Sequence, residues 1–249
     1  MRHVLTQKML ALTVLAASQL LFTSLVMNTA WAVPALQIYI DGGVYDTDTE
    51  TWVVETNNPF KLWVIGDIES NGTISDVKLA AAVLTDELPG SSIGLSPTTT
   101  SLVTDPSTPQ VPTPTGNSPS VDGAVPVRGD GSLLAAHGIY GTGTSFFEWT
   151  LGDFTLTDSP VGDFIEMFPT SFPSNGQINV YEVTISGFSQ VHFDTYDHIF
   201  DGDKHGEYKF APFSHDGGAT GNPVPEPGTW VLMGTGLFGL LGYTWRRKP

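Results

Sequence analysis

The sequence predicts an all-β fold for residues 33–216, an antiparallel β-sandwich with a jelly-roll-like arrangement. Three observations support this prediction. Apolar and polar residues alternate in short runs. Gly, Pro, Asp and Asn separate these runs, as in sandwiches built from short strands. The aromatic content of 11% is sufficient for a packed core.

The first half of the predicted domain begins with a hairpin. An alternating run starts at Leu36 and reaches Tyr45 beyond a glycine pair that predicts a bulge. Residues 46–50 alternate Asp with Thr, which predicts a hairpin loop, and the return strand is expected over residues 51–54. Residues 60–65 are apolar on both faces except for one lysine, which predicts a central strand.

The later elements are less uniform. Residues 77–84 could form a strand or a short helix, because their alanines weaken the strand prediction. Residues 145–151 predict a strand rich in aromatic side chains. Residues 178–185 alternate, and residues 188–193 continue after Gly187, which predicts either a hairpin or one long, bulged strand.

A Pro-, Thr- and Ser-rich segment interrupts the strand pattern at residues 96–128. It contains seven prolines, and each proline removes a backbone donor from a β-ladder. We therefore expect a surface loop or flexible insertion. A linker between two small domains is the alternative, but each flanking piece is short for a core of its own.

The C-terminal residues have the pattern of a membrane segment. Residues 229–245 carry no charge and would span roughly 26 Å as a transmembrane helix. Arg246, Arg247 and Lys248 follow and would hold the C-terminus in the cytoplasm. Residues 217–224 are expected to form a stalk before this segment. An ordinary single-span anchor is one interpretation.

A second interpretation follows from the residues just before the apolar run. Pro225, Glu226 and Pro227, followed by the apolar run and the basic cluster, resemble the PEP-CTERM sorting signal of Gram-negative bacteria. The resemblance covers residues 225–249. It implies that an exosortase in the inner membrane cuts near Glu226 and passes the exported domain to the cell envelope, the outer surface or the exterior.

The N-terminus has the pattern of a secretory signal peptide over residues 1–32. Arg2 and Lys8 provide a positive region, and an apolar stretch follows. Ala30 and Ala32 match a small-x-small site, so signal peptidase is expected to cut after Ala32. An uncleaved N-terminal membrane anchor is the alternative.

Four blocks of the central domain resemble the choice-of-anchor N family. They are residues 36–52, residues 58–66, residues 137–140 and residues 210–216. The resemblance covers most of residues 35–216. It implies an exported domain that different tails attach to the cell surface, and it implies no catalytic residues.

Charge and cysteine content exclude several functions. Residues 33–224 hold five basic and 25 acidic side chains, a net charge of −20, so we expect no nucleic-acid partner. The chain contains no cysteine, which excludes disulfides, thiol nucleophiles and metal–thiolate sites within it. We expect stability to come from core burial, with a contribution from a cation if one is bound.

An acidic cluster is the candidate metal site, with calcium as the expected ion, because hard cations bind several carboxylate oxygens. Its members are Asp194, Asp197, Asp201, Asp203 and Glu207. The spacing begins like an EF-hand loop, but His205 and Pro212 occupy positions that need oxygen ligands. The sequence favours a solvated acidic turn over this metal site. The acidic residues at positions 41–50 form a second, weaker candidate.

The histidines match no standard transition-metal motif by their spacing. They are His137, His192, His198, His205 and His215. His192 alternates with apolar neighbours, which favours a structural role in a strand. His137 and His215 are expected to take part in loop packing.

The sequence favours a protein without catalytic activity. It contains no Gly-x-Ser-x-Gly elbow, phosphate loop or dinucleotide fingerprint. Trp52, Trp63 and Trp149 could stack on sugar rings, but their strand context favours core packing.

The expected role is structural or adhesive, in a biofilm or exopolysaccharide setting, as the PEP-CTERM resemblance implies. A calcium-dependent carbohydrate-binding module is the alternative, with polysaccharide as the partner and the loop at residues 194–207 as its rim. A hydrolase is a third hypothesis.

Overall fold

The computed structural model describes residues 33–98, 113–128, 131–138, 140–196, 211 and 215–221. Their strands form two sheets. The first sheet contains β1 (Leu36–Ile40), β4 (Phe60–Gly66), β6 (Ser92–Pro97), β8 (Ser159–Val161) and β9 (Ser174–Ser186). The second contains β2 (Val44–Asp46), β3 (Thr51–Glu55), β5 (Ile74–Leu84), β7 (Thr144–Phe154), β10 (Gln190–Tyr196) and β11 (Asp216–Thr220). A one-turn helix, α1 (Ile68–Asn71), and a 3₁₀ turn (Thr85–Glu87) complete the described elements.

The strand order is β1-β4-β9-β6 in the first sheet, where β8 also pairs with β9, and β2-β3-β11-β10-β5-β7 in the second. The prediction of an all-β fold is confirmed. The prediction of a purely antiparallel arrangement is wrong at one place, since β3 and β11 are parallel. No tight hairpin fixes their relative direction, because most of the domain lies between these two strands in the sequence.

The apolar core consists of alternating residues from both sheets. β4 is buried at every position except Lys61 and lies between β1 and β9, as predicted for a central strand. Residues 77–84 belong to strand β5, where three consecutive alanines are fully buried. Trp52, Trp63 and Trp149 are also buried, which confirms that they pack in the domain.

The chain turns a corner between the two sheets at Gly187. Both predicted alternatives for residues 178–193 are wrong, because β9 belongs to the first sheet and β10 to the second. Gly187 has a φ of 84°, which a glycine adopts without strain. The turn therefore directs the chain away from β9 and across to the other sheet.

The Pro-rich segment lies partly on the second sheet. Thr115 forms a bridge with Thr150 of β7, and the amides of Ser120 and Gly123 donate to the carbonyl oxygens of Phe146 and Thr144. We name residues 113–128, 131–138 and 140 the cover segment. Its Leu134 is buried against Ala80 and Tyr196, so the outer face of β5 and β10 is covered. Residues 99–112 lie outside the described residues.

The C-terminal end of the domain differs from the expected stalk. Residues 217–220 belong to β11, which is inserted between β3 and β10. Small side chains permit this position: a Cβ on Gly217 would lie 2.9 Å from Ile38 Cγ2 and 3.2 Å from Ile40 Cδ1. The small residues that predicted a stalk therefore allow the two sheets to pack closely together.

The predicted signal peptide at residues 1–32 and the predicted sorting signal at residues 225–249 lie outside the described residues. Within the part of the chain that the structure describes, no helix has the length and hydrophobicity needed to span a membrane.

Candidate functional site

Four polar side chains from three chain segments meet beside the outer face of the second sheet. His192 and Asp194 stand two residues apart on β10, and a period of two places both on one face of a strand. Asp216 begins β11, which pairs antiparallel with β10. His137 comes from the cover segment. We name these four residues the His/Asp cluster.

The four side chains converge on one point. One donor atom from each lies within 4.8 Å of the others. His137 Nε2 lies 2.6 Å from Asp194 Oδ1 and 2.8 Å from Asp216 Oδ2. His192 Nε2 lies 3.5 Å and 3.9 Å from the same two oxygens. Two imidazoles therefore face two carboxylates across a small volume.

Surrounding groups fix the orientation of His137 and Asp194. The Nδ1 atom of His137 lies 2.8 Å from the carbonyl oxygen of Ala135. A carbonyl oxygen only accepts, so Nδ1 carries the hydrogen and Nε2 is directed at the carboxylates. Tyr140 donates a hydrogen bond of 2.5 Å to Asp194 Oδ2, and its ring stacks on His137 at a centroid distance of 5.0 Å.

The ring of His192 is held by close contacts. It meets the ring of His137 edge to face at a centroid distance of 4.8 Å. Gly138, with a φ of 60°, also lies against this ring, and a Cβ at this position would lie 3.4 Å from His192 Cγ. Both imidazoles are therefore restricted to one orientation.

The cluster is buried, so its charges are poorly solvated. The exposed fractions of Asp194 and Asp216 are 3% and 1%, and that of His192 is 7%. Burial costs a charged group several kcal/mol unless a partner of opposite charge is close. Two adjacent carboxylates at this depth therefore need either a cation between them or a proton on one of them.

The pKa values of the cluster reflect this requirement. Burial disfavours the imidazolium form of His137, but contacts with Asp194 and Asp216 outweigh burial and raise the pKa of His137 to about 10. Burial opposes ionisation of Asp194, yet its contacts with His137 and His192 hold the pKa of Asp194 well below its usual range. Burial raises the pKa of Asp216 to about 7, against the opposing effect of His137. The site thus favours a cation beside Asp194.

His192 Nε2 and Asp216 Oδ2 are among the buried polar atoms of the cluster, and neither makes a hydrogen bond to the described residues. Asp216 Oδ2 lies 2.8 Å from His137 Nε2, a close contact between a carboxylate oxygen and an imidazole nitrogen.

A cleft with a cavity volume of about 520 Å³ adjoins the cluster. His137 and His192 form part of its wall, and the hairpin of β2 and β3 contributes Asp46, Asp48 and Glu50. The amide of Asp48 donates to Asp46 Oδ1 at 2.9 Å, which is the hydrogen bond of an Asx turn. The second acidic segment of the sequence is therefore a hairpin tip at the entrance to this cleft.

The structure places one of the five predicted acidic ligands in the cluster. This residue is Asp194. The other four, Asp197, Asp201, Asp203 and Glu207, lie outside the described residues, as do the sorting residues and the signal cleavage site. The residues that join Asp194 are His137, His192 and Asp216.

Sequence reasoning assigned His137 and His192 to packing and did not consider Asp216. One local signal could have indicated the pair on β10, since a His-x-Asp sequence in a strand places both side chains on one face. No local signal connects them to His137 or Asp216, because the topology of the second sheet and the path of the cover segment bring these residues together.

The fold and the cluster together define an all-β domain with a buried His/Asp site. Residues 223–248 match the family model PEP_exosort_dom, described as the PEP-CTERM protein-sorting motif. The chain therefore carries a motif for sorting by an exosortase system, which implies processing by exosortase, export and targeting to the cell envelope or surface. No curated protein matches the chain.

Two solved structures show a distant similarity. One is titled "Streptococcus agalactiae AgI/II polypeptide BspA C terminal domain (WT)", with 10% identity, a TM-score of 0.21, and coverage of 72% of this chain and 49% of that one. The other, "BspA_C_WT", has 10% identity, a TM-score of 0.18, and coverage of 71% and 48%. The chain spans about half the length of these proteins, and such low scores do not show a common fold.

Proposed function

We propose that this chain is an exported protein of the cell surface or extracellular matrix, with a structural or adhesive role in a biofilm or exopolysaccharide setting. The observation that carries the proposal is the PEP-CTERM motif at residues 223–248. The resemblance of the four blocks at residues 36–52, 58–66, 137–140 and 210–216 to the choice-of-anchor N family would point the same way, toward a domain that a tail attaches to the surface.

The charge of the domain supports a role outside the inner membrane. A net charge of −20 over residues 33–224 favours solubility and attracts cations. Two packed sheets form a rigid unit that needs no disulfide. We propose no catalytic role, because the sequence contains no Gly-x-Ser-x-Gly elbow, phosphate loop or dinucleotide fingerprint.

The sorting step can be tested by intact mass and location of the protein in its own cells, with and without Glu226→Ala. We expect a mature species that lacks the signal peptide and the sorting segment, and we expect the substitution to abolish tail removal. The reason is that an exosortase would recognise the Pro-Glu-Pro motif.

Glu182→Ala is a matched control, because Glu182 is an exposed acidic residue of β9 far along the chain from the motif. It should leave processing unchanged. A full-length tail retained in the inner membrane in both wild type and Glu226→Ala would indicate an ordinary anchor and would contradict the proposal.

The alternative, a calcium-dependent carbohydrate-binding module, has one supporting observation, the cleft of about 520 Å³ beside an acidic hairpin. Two features disfavour it. The described lining contains no Trp, Tyr or Phe to stack on a sugar ring. Asp194, the described member of the calcium prediction, faces two imidazoles, and calcium prefers oxygen ligands. Binding of the host's exopolysaccharide that disappears on calcium removal would favour this alternative.

A further inference from the structure

We propose that His137, His192, Asp194 and Asp216 bind one divalent transition-metal ion of the zinc type, in a closed site that stabilises the domain. Such an ion would act as a cross-link between β10, β11 and the cover segment. It would bind whether or not the tail is processed, so this inference goes beyond the sorting and matrix role.

The number and spacing of the donor atoms fit such an ion. Tetrahedral zinc has bonds of about 2.0–2.2 Å to nitrogen and carboxylate oxygen, so its ligand atoms stand about 3.3 Å apart. The four separations between imidazole nitrogens and carboxylate oxygens run from 2.6 to 3.9 Å, and all four donor atoms lie within 4.8 Å of one another. Small movements of these side chains would complete the tetrahedron.

The groups around the donors also fit a metal site. Imidazoles that bind metals usually donate their second N–H to a carbonyl or carboxylate, which fixes the tautomer. His137 does so to Ala135, with a separation of 2.8 Å. Asp194 is held by Tyr140 through its second oxygen, so Oδ1 remains directed into the cluster.

A proton does not satisfy the cluster as completely as a metal ion does. A proton on His137 Nε2 would neutralise one charge and satisfy that nitrogen. It would leave His192 Nε2 buried without a hydrogen bond to the described residues, and its single N–H could align well with only one of the two facing carboxylate oxygens. A buried polar atom that lacks a hydrogen bond destabilises the folded state. One metal ion would accept electron pairs from all four groups.

The donor set selects the class of ion. Two imidazole nitrogens suit zinc and the neighbouring first-row metals, whereas calcium and magnesium take oxygen. Four protein ligands fill a tetrahedral zinc site, which is the arrangement of structural rather than catalytic sites. We therefore expect a stabilising ion and no metal-bound water.

The surroundings provide an entry path. The cleft wall contains His137, His192 and the acidic hairpin residues Asp46, Asp48 and Glu50. Carboxylates lining a cleft concentrate cations near its entrance. An ion could therefore reach the two imidazoles from solvent without opening the core.

The test uses the full chain, purified in detergent, stripped with EDTA and then titrated separately with Zn²⁺, Mn²⁺ and Ca²⁺. Bound metal is measured by elemental mass spectrometry and stability by thermal unfolding. We expect one equivalent of Zn²⁺ and a rise in Tm of about 5–10 °C at a hundredfold excess over Kd. Asp216→Asn and His192→Gln should each weaken zinc binding at least tenfold.

His215→Gln is the matched control. His215 is buried and adjacent to Asp216, but its Nε2 contacts Asp163 at 2.6 Å, away from the cluster. This variant should retain one equivalent of zinc even if its metal-free Tm falls.

Three results would overturn the proposal: no zinc bound by the wild type, equal zinc binding by the ligand variants and the control, or stabilisation by Ca²⁺ but not by Zn²⁺. If the ligand variants fail to fold, wild-type protein loaded with Co²⁺ still decides the question. A tetrahedral visible spectrum is expected, and the spectrum of octahedral Co²⁺ would contradict the proposed geometry.

Discussion

At the scale of single residues, the hydroxyl group of Tyr140 has the most specific role outside the four proposed ligands. It donates to Asp194 Oδ2, and its ring stacks on His137. Both contacts restrict side chains of the cluster without touching the point on which the donor atoms converge. Tyr140 is therefore a positioning residue.

Removal of this hydroxyl by Tyr140→Phe tests that role. We expect zinc affinity to fall about 10–100-fold while the metal-free domain stays folded, because the ring contacts remain and only the orientation of Asp194 is lost. Isothermal titration of the stripped protein measures the change. Tyr181→Phe is the control, since Tyr181 accepts a hydrogen bond from Asn179 within the core. Tyr181→Phe should lower the stability of the domain and leave zinc affinity unchanged. A loss of zinc affinity in Tyr181→Phe but not in Tyr140→Phe would contradict the positioning role of Tyr140.

The cluster could be predicted only in part from the sequence. Asp194 was identified because it belongs to an acidic run, which is a local signal. His137, His192 and Asp216 are far apart in the sequence, and their meeting depends on the pairing of β10 with β11 and on the cover segment. A spacing rule cannot detect ligands that only the tertiary structure brings together.

At the scale of elements, the corner at Gly187 is one of the places where the chain passes from the first sheet to the second. β9 ends just before it in the first sheet, and β10 begins just after it in the second. The positive φ suits glycine, and the space is restricted: a Cβ would lie 2.2 Å from Ser91 Oγ and 3.0 Å from Ser91 Cα. Both backbone strain and a steric clash oppose any larger residue.

We expect Gly187→Ala to lower the free energy of unfolding by about 2–4 kcal/mol, from left-handed strain and the contact with Ser91. Gly42→Ala is the matched control, because Gly42 has a φ of 76° and nothing within 4 Å of an added Cβ. Strain alone should cost it about 1–2 kcal/mol. Urea unfolding compares the two. If both variants lose the same free energy of unfolding, the clash between the added Cβ and Ser91 does not destabilise the domain.

Most strands could be predicted because their alternation is local. β4 and the hairpin of β2 and β3 follow directly from the period-two pattern. The corner could not be predicted, since two alternating runs around a glycine have the same pattern whether they pair with each other or join different sheets. β11 was also missed, because a strand of small residues resembles a linker in composition.

At the scale of the whole molecule, the exported domain combines a high negative charge with few basic side chains. Residues 33–224 carry a net charge of −20. Lys78 and Glu148 form an ion pair of 3.2 Å at the surface, which is worth little in water. Repulsion among the remaining carboxylates therefore opposes the compact state.

Screening of this repulsion should stabilise the domain. We expect the Tm of the metal-free protein to rise by about 2–4 °C between about 10 mM and 300 mM NaCl, since the Debye length shortens from about 30 Å to less than 8 Å. Thermal unfolding monitored by circular dichroism measures the change. A variant with Asp48→Asn and Glu182→Gln should show a smaller rise. A Tm that falls with salt would mean that attractive ion pairs dominate.

The place of β11 in the second sheet has a mechanical consequence. β11 is the last described strand before the tail, so a pulling force applied through the C-terminus reaches it first. It lies between β3 and β10, and its C-terminal end is held by hydrogen bonds between Thr56 and Thr220 and between Ser189 and Gly221. A load along the strand must shear both ladders together. A domain tethered by its tail would therefore resist traction at the point of attachment, without a disulfide to carry the force.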